Sequence, residues 1–113
     1  SRTAAEELDF WTAWQGGSAA ARDLAIDQLG LDRLMDLEVR RLSAGQRRRL
    51  ALARLLATPR PLWLLDEPLS PLDGDWRSRV LEIMAGHLAG GGLILPAVHD
   101  PLPLAAIRLD IAP

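Results

Sequence analysis

The sequence predicts an α/β fold preceded by a small helical unit. Two apolar runs, 62–65 and 93–98, are short, unbroken and separated by a helix-like stretch at 75–88. Runs of this length suit strands buried on both faces, and helix, strand, helix, strand in order implies parallel packing with right-handed crossovers. Residues 1–41 contain no such run and read as helices interrupted by glycine. The expected domains are a helical unit over 1–41 and a C-terminal α/β part over 42–113.

The first helix is expected over 3–14. Thr3 with Glu6 fits a capping box, in which hydroxyl and carboxylate each satisfy an exposed amide. Leu8, Trp11 and Trp14 recur at helical spacing and predict a packed face, the alternative being an aromatic ligand box. Gly16-Gly17-Ser18 breaks this helix, and a second follows over 19–29, with Ala20, Ala21, Leu24 and Gln28 about a turn apart. Gly30 is its expected C-terminal cap, because glycine accepts positive φ. A short turn begins at Leu31. The next helix, 43–57, stops at Thr58-Pro59-Arg60-Pro61, since proline lacks the amide and clashes with the preceding turn. Gly90-Gly91-Gly92 leads into the second strand, and 107–111 would add a last one. Pro96 falls inside the second strand, where it removes a ladder donor, so that strand is expected to be short or bulged.

Composition excludes several classes. A net charge of −2 argues against a surface built wholly for nucleic acid. The absence of cysteine excludes disulfides and thiolate metal sites. No apolar run reaches membrane-spanning length, and the N-terminus does not look like a signal peptide. The chain starts at Ser1 rather than Met, which suggests a fragment. All 13 basic residues are arginine, so no lysine exists to serve in a phosphate loop; a GC-rich genome explains the bias itself.

Chemistry concentrates in three places. Leu42-Ser43-Ala44-Gly45-Gln46 stands directly before the arginine-rich helix. Ser43 is a good N-cap, Gly45 allows another backbone close, and the unpaired amides with the helix dipole favour an anion such as phosphate. An ordinary capped helix fits these five residues equally well. Leu62-Trp63-Leu64-Leu65-Asp66-Glu67-Pro68 sets two acids at the carboxyl end of a strand, where α/β sheets place ligands. One carboxylate can hold Mg²⁺ through water and the other can orient or deprotonate an attacking water. The alternative is a solvated Asp-Glu turn. His99 ends the next strand and could hydrogen-bond a transferring phosphate, though a lone histidine is more often structural. His87 lacks such neighbours and reads as a surface residue near a helix end.

Taken together, 42–46, 62–67, 69–73 and 99 resemble the ABC ATPase family in order and spacing. Leu42 to Gln46 are similar to its signature motif, Leu62 to Asp66 to Walker B, Glu67 to the catalytic glutamate, Leu69-Ser70-Pro71-Leu72-Asp73 to the D-loop, and His99 to the switch histidine. The resemblance implies a partial P-loop (RecA-like) nucleotide-binding domain with a helical subdomain. It also implies a head-to-tail homodimer that sandwiches ATP. Ser43, Ala44, Gly45 and Gln46 would meet the partner's ATP. Asp66, through water and Mg²⁺, and the catalytic pair Glu67 and His99 would serve the nucleotide on their own subunit. Asp73 would couple the two sites. Arg47, Arg48 and Arg49 look like the basic start of the signature helix, some facing solvent and some the interface.

Residues Thr3-Ala4-Ala5-Glu6-Glu7-Leu8-Asp9-Phe10-Trp11 resemble the stretch after the Q-loop in the ATP-binding subunits of haem exporters of cytochrome c maturation. That resemblance implies permease partners, no nucleic acid, and peripheral attachment to the cytoplasmic face of the inner membrane through the permease. Departures are equally plain. No Gly-x-x-x-x-Gly-Lys-Ser/Thr loop occurs, the Q-loop glutamine is absent, and Ala44 replaces the commoner glycine. The 113-residue chain alone is therefore expected to be inactive. Three rivals are a soluble ABC ATPase of DNA repair or translation, against which no heptad run appears, a non-catalytic module that lends its signature to a partner, and an α/β domain whose motifs are coincidental.

Overall fold

The structure, a computed structural model, describes residues 2–58, 60–66 and 69–97. It contains α1 (Ala4–Trp14), α2 (Ala19–Gln28), 3₁₀ turns at Asp32–Leu34 and Val39–Arg41, α3 (Ala44–Leu56), β1 (Leu62–Asp66), α4 (Gly74–Ala89) and β2 (Leu93–Ala97). They form two compact units, Ser1–Arg60 and Pro61–Pro113. The expected functional boundary at 41/42 falls inside the first unit, in which α3 packs with α1 and α2. The expected strand at 107–111 lies outside the described residues.

In the first unit, α1 begins with every early amide satisfied. Thr3 and Glu6 form the expected capping box, with Thr3 N donating to Glu6 Oε1 at 2.9 Å and Glu6 N to Thr3 Oγ1 at 3.2 Å. The amides of Ala4 and Ala5 donate to the carbonyls of Leu37 and Met35. Glu6 is held below the ordinary carboxylate range, first by its bond from the Thr3 amide. The cap is thus complete above that range and is lost as pH falls through the lowered value.

Leu8 and Ala4 are wholly buried, but Trp14 is 74% exposed. The expected packed face therefore stops short of Trp14, which stacks on Phe10 one turn earlier. Trp11 is half-buried, donates Nε1 to Glu7 at 2.9 Å and lies under the Arg54 guanidinium at 3.8 Å. In α2 the buried residues are Ala25 and Ile26, while Leu24 is exposed. Gly30, at φ +61°, completes the exit from α2. Its amide bonds Asp27 O and that of Leu31 bonds Ile26 O, a Schellman ending.

The α1–α2 link is tight. A methyl on Gly17 would run into the Ala57 carbonyl oxygen and sit 2.7 Å from the Thr12 side-chain methyl. A backbone carbonyl at the end of α3 cannot swing aside as a flexible side chain can. Gly17→Ala is expected to destabilise the chain by about 1–3 kcal/mol, the range for overpacking a close contact. Urea or thermal unfolding checks this, and an unchanged midpoint would show the junction to be open.

In the second unit, β1 and β2 pair in parallel, Leu62 opposite Leu93 through Asp66 opposite Ala97. The expected parallel β–α–β arrangement is present. Burial on both faces is not: Trp63, Leu65 and Ile94 are buried, whereas Leu64 is 68% and Leu95 60% exposed. Alternate residues face opposite ways. The buried face belongs with α4, whose Val80, Met84 and Leu88 are buried at successive turns. Pro96 lies within β2 opposite Leu65 without breaking the register. Among the described residues the sheet has two strands, so each has an unpaired edge that tolerates a missing donor.

The ending of α4 is a second Schellman motif, with Gly91 at φ +92° and Gly92 N bonding His87 O. His87 is half-exposed in the last turn of α4, near the helix end as expected, but it has partners. Its ring stacks on Trp63, centroids 3.7 Å apart, and its Nε2 lies 2.8 Å from Pro61 O. The helix end is thereby tied to the start of β1. Among the described residues no helix is long and apolar enough to cross a membrane.

Candidate nucleotide site

The start of α3 is a capping box. Ser43 N donates to Gln46 Oε1 at 2.8 Å and Gln46 N to Ser43 Oγ at 3.1 Å. Gln46 was read from the sequence only as part of a phosphate motif; the Ser-x-x-Gln spacing was the available signal for its capping role. The box leaves Ala44 N–H and Gly45 N–H, and here α3 differs from α1. In α1 the corresponding amides are taken by the Leu37 and Met35 carbonyls, whereas no described residue supplies an acceptor to Ala44 or Gly45. Ser43 and Ala44 are exposed and Gly45 half-exposed. Since Ser43 Oγ acts as acceptor within the box, its hydroxyl hydrogen remains to donate outward. Two amides, a hydroxyl and the positive end of a 13-residue helix thus face outward at one point, an arrangement that favours an anion.

Leu42, 3% exposed, anchors the chain just before the cap, and Leu50 and Ala53 anchor the helix behind it. Arg47 is exposed, Arg48 and Arg49 half-buried. Farther along, burial pulls the Arg54 guanidinium below its ordinary value and Glu7 opposes that shift. The group stays charged, because arginine does not deprotonate in proteins.

In the second unit, Asp66 is the last residue of β1, level with Ala97 at the end of β2. Glu67 and His99 lie outside the described residues. Asp73 is the N-cap of α4, accepting from Trp76 N at 3.0 Å. Leu69 and Leu72 of the same segment are buried, and Leu72 N bonds Leu69 O at 2.9 Å. Asp73 therefore has a structural duty that its motif alone did not reveal. Asp73→Ala is expected to lower stability by about 1 kcal/mol, as for other lost N-caps, and Asp73→Asn by less. Chemical denaturation of the two variants checks this; equal stability of Ala and wild type would contradict it.

Among the described residues no group of three or more His, Cys, Asp or Glu could hold a metal ion by itself. Mg²⁺ commonly takes only one or two carboxylates, with waters and substrate phosphates filling the rest. A single acid at a strand end fits that pattern in its donor chemistry.

A helical unit followed by a parallel β–α–β unit is the fold of part of a nucleotide-binding domain of the ABC class. Residues 2–70 match the sequence model of the family described as ABC transporter, and the chain belongs to that family. It is 51% identical over 109 residues to the cytochrome c biogenesis ATP-binding export protein CcmA of Nitrobacter winogradskyi, covering 96% of this chain and 54% of that protein. It is 52% identical over 110 residues to the protein of the same name from Nitrobacter hamburgensis, covering 94% and 54%. The chain thus spans about half the length of these curated relatives. A bacterial ABC transporter cassette solved as a dimer shares the fold, with a TM-score of 0.77 and 23% identity, over 88% of this chain and 47% of that one.

Proposed function

We propose that the chain is the C-terminal half of an ATP-hydrolysing subunit of a haem exporter for cytochrome c maturation. In this reading 1–41 is the helical subdomain and 42–113 the C-terminal part of the ATPase core. ATP is the substrate, held head-to-tail between two copies of the subunit. Permease subunits attach it to the cytoplasmic face of the inner membrane, and no nucleic acid is involved. The observation that carries this reading is the helix start of α3, where the amides of Ala44 and Gly45 lack acceptors among the described residues. Among the described residues, open first-turn amides are also present at Ala19 and Ala20 of α2 and Gly74 and Asp75 of α4; those of α3 support a phosphate because they fall within Leu42–Gln46, the stretch similar to the signature motif. The likeness to export proteins supports the transporter assignment.

Each residue then has a task. Ser43, Ala44 and Gly45 donate to the γ-phosphate of the partner's ATP, while Gln46 holds Ser43 through the capping box. Asp66 would hold Mg²⁺ through water, and the ion would supply charge neutralisation at the phosphates. Glu67 takes a proton from the attacking water, and His99 donates to the phosphate that accumulates charge. Asp73 couples the two sites while capping α4.

The test compares the 113-residue chain with its full-length parent. Mg²⁺-dependent ATP turnover is expected from the full-length protein and none from the shorter chain, which has no phosphate-loop lysine. Co-purification with permease subunits is expected rather than with ribosomes or nucleic acid. Turnover by the 113-residue chain alone would overturn the proposal.

A further inference from the structure

Arg49 of α3 donates from Nη1 to the carbonyl oxygens of Leu29, at 2.9 Å, and Gly30, at 3.3 Å. These carbonyls lie at the exit of α2. The Schellman bonds there use Ile26 O and Asp27 O, leaving those of Leu29 and Gly30 for another donor. A cation at this point also meets the negative end of the α2 dipole.

The position of Arg49 along α3 matters. It stands about 1.7 helical turns beyond Ser43, about 9 Å along the axis at ~1.5 Å per residue. Leu42 and Leu50 bury α3 against its neighbours, but apolar burial is non-directional and permits sliding and rotation. Hydrogen bonds restrict both, because their strength depends on angle. A second contact, Arg54 over the Trp11 ring at 3.8 Å, lies toward the other end of the helix. Arg49 is thus a directional tie on the half of α3 that carries the open amides.

We propose that Arg49 is the positioning residue of the phosphate-facing end of α3: by fixing that half of the helix to the exit of α2, it aims the Ser43 hydroxyl and the Ala44 and Gly45 amides. It does not itself touch nucleotide. The proposal rests on the function given above for that end, and it assigns one of the arginines whose roles the sequence left open.

The test uses the full-length protein with Arg49→Met, which removes the donors, and Arg49→Lys, which keeps the cation without the planar fork. For Arg49→Met, kcat is expected to fall about tenfold, the scale of losing a charged hydrogen bond, with ATP affinity of the single subunit unchanged. Arg49→Lys recovers part of the loss. Hydrogen exchange without nucleotide is expected to accelerate at 46–49, where the hydrogen-bonded amides of this end begin, more than at 52–56. An unchanged kcat in folded Arg49→Met would overturn the proposal. So would a joint fall in kcat and affinity with exchange rising equally along α3, the signature of a general scaffold role. Should Arg49→Met not fold, the same exchange comparison on Arg49→Lys decides, equal exchange at both ends overturning the proposal. A wild-type protein without ATP turnover would sink the functional reading instead, and the exchange gradient would still judge the tie.

Discussion

Glu67→Gln in the full-length protein is expected to lower ATP turnover by about 10²–10⁴-fold, the usual contribution of a general base. The amide matches the carboxylate in size and keeps an oxygen that can accept a hydrogen bond, but it cannot take the proton from water. ATP binding should therefore survive, and with hydrolysis blocked the ATP-held dimer should accumulate. Single-turnover measurements and gel filtration with ATP check the two halves. Turnover near wild type would remove Glu67 as the base. Loss of ATP binding together with turnover would instead mean that the substitution damaged the end of β1.

Gly45→Asp is expected to abolish most hydrolysis while leaving the folded subunit at least as stable. The two effects have opposite signs for one reason. An acid in the first turn of α3 meets the positive end of the helix dipole, favourable by about 0.3–1 kcal/mol. Aspartate also replaces a glycine inside a helix, where glycine is the poorer former. Yet the same carboxylate stands where the partner's phosphate must arrive, and juxtaposed like charges cost several kcal/mol. At 1.36 kcal/mol per factor of ten, turnover should fall more than about a hundredfold. Thermal unfolding and steady-state ATPase assays on the same preparation separate the two. An active Gly45→Asp enzyme would show that phosphate never meets this helix end.

Much of the fold was legible because its signals were local. Thr3 with Glu6 announced the start of α1 and Ser43 that of α3, each through a side chain acting within a few residues, and Gly30 announced the exit from α2 because its backbone accepts positive φ. The apolar runs at 62–65 and 93–98 placed the parallel strands. What failed depended on distant partners. Helical spacing put Trp14 on a packed face, but spacing cannot say where a neighbour ends, and Trp14 turned to Phe10. His87 looked solitary in sequence because its partners, Pro61 and Trp63, lie on another element. Continuous hydrophobicity implied cover on both faces of β1 and β2; in this chain, about half the length of its curated relatives, Leu62, Leu64, Leu93 and Leu95 are exposed. The site was legible as motifs, yet its physical character was not. Nothing in Ser43-Ala44-Gly45-Gln46 says that the Ala44 and Gly45 amides stay open when those of Ala4 and Ala5 close on a neighbouring loop.

The most direct measurement is a structure of the full-length Glu67→Gln protein with Mg²⁺ and ATP. The Ser43 hydroxyl and the amides of Ala44 and Gly45 should lie about 3 Å, hydrogen-bonding distance, from γ-phosphate oxygens of a nucleotide held by the opposite subunit. A nucleotide enclosed by one subunit, with the start of α3 facing water or protein and no phosphate near it, would contradict that arrangement.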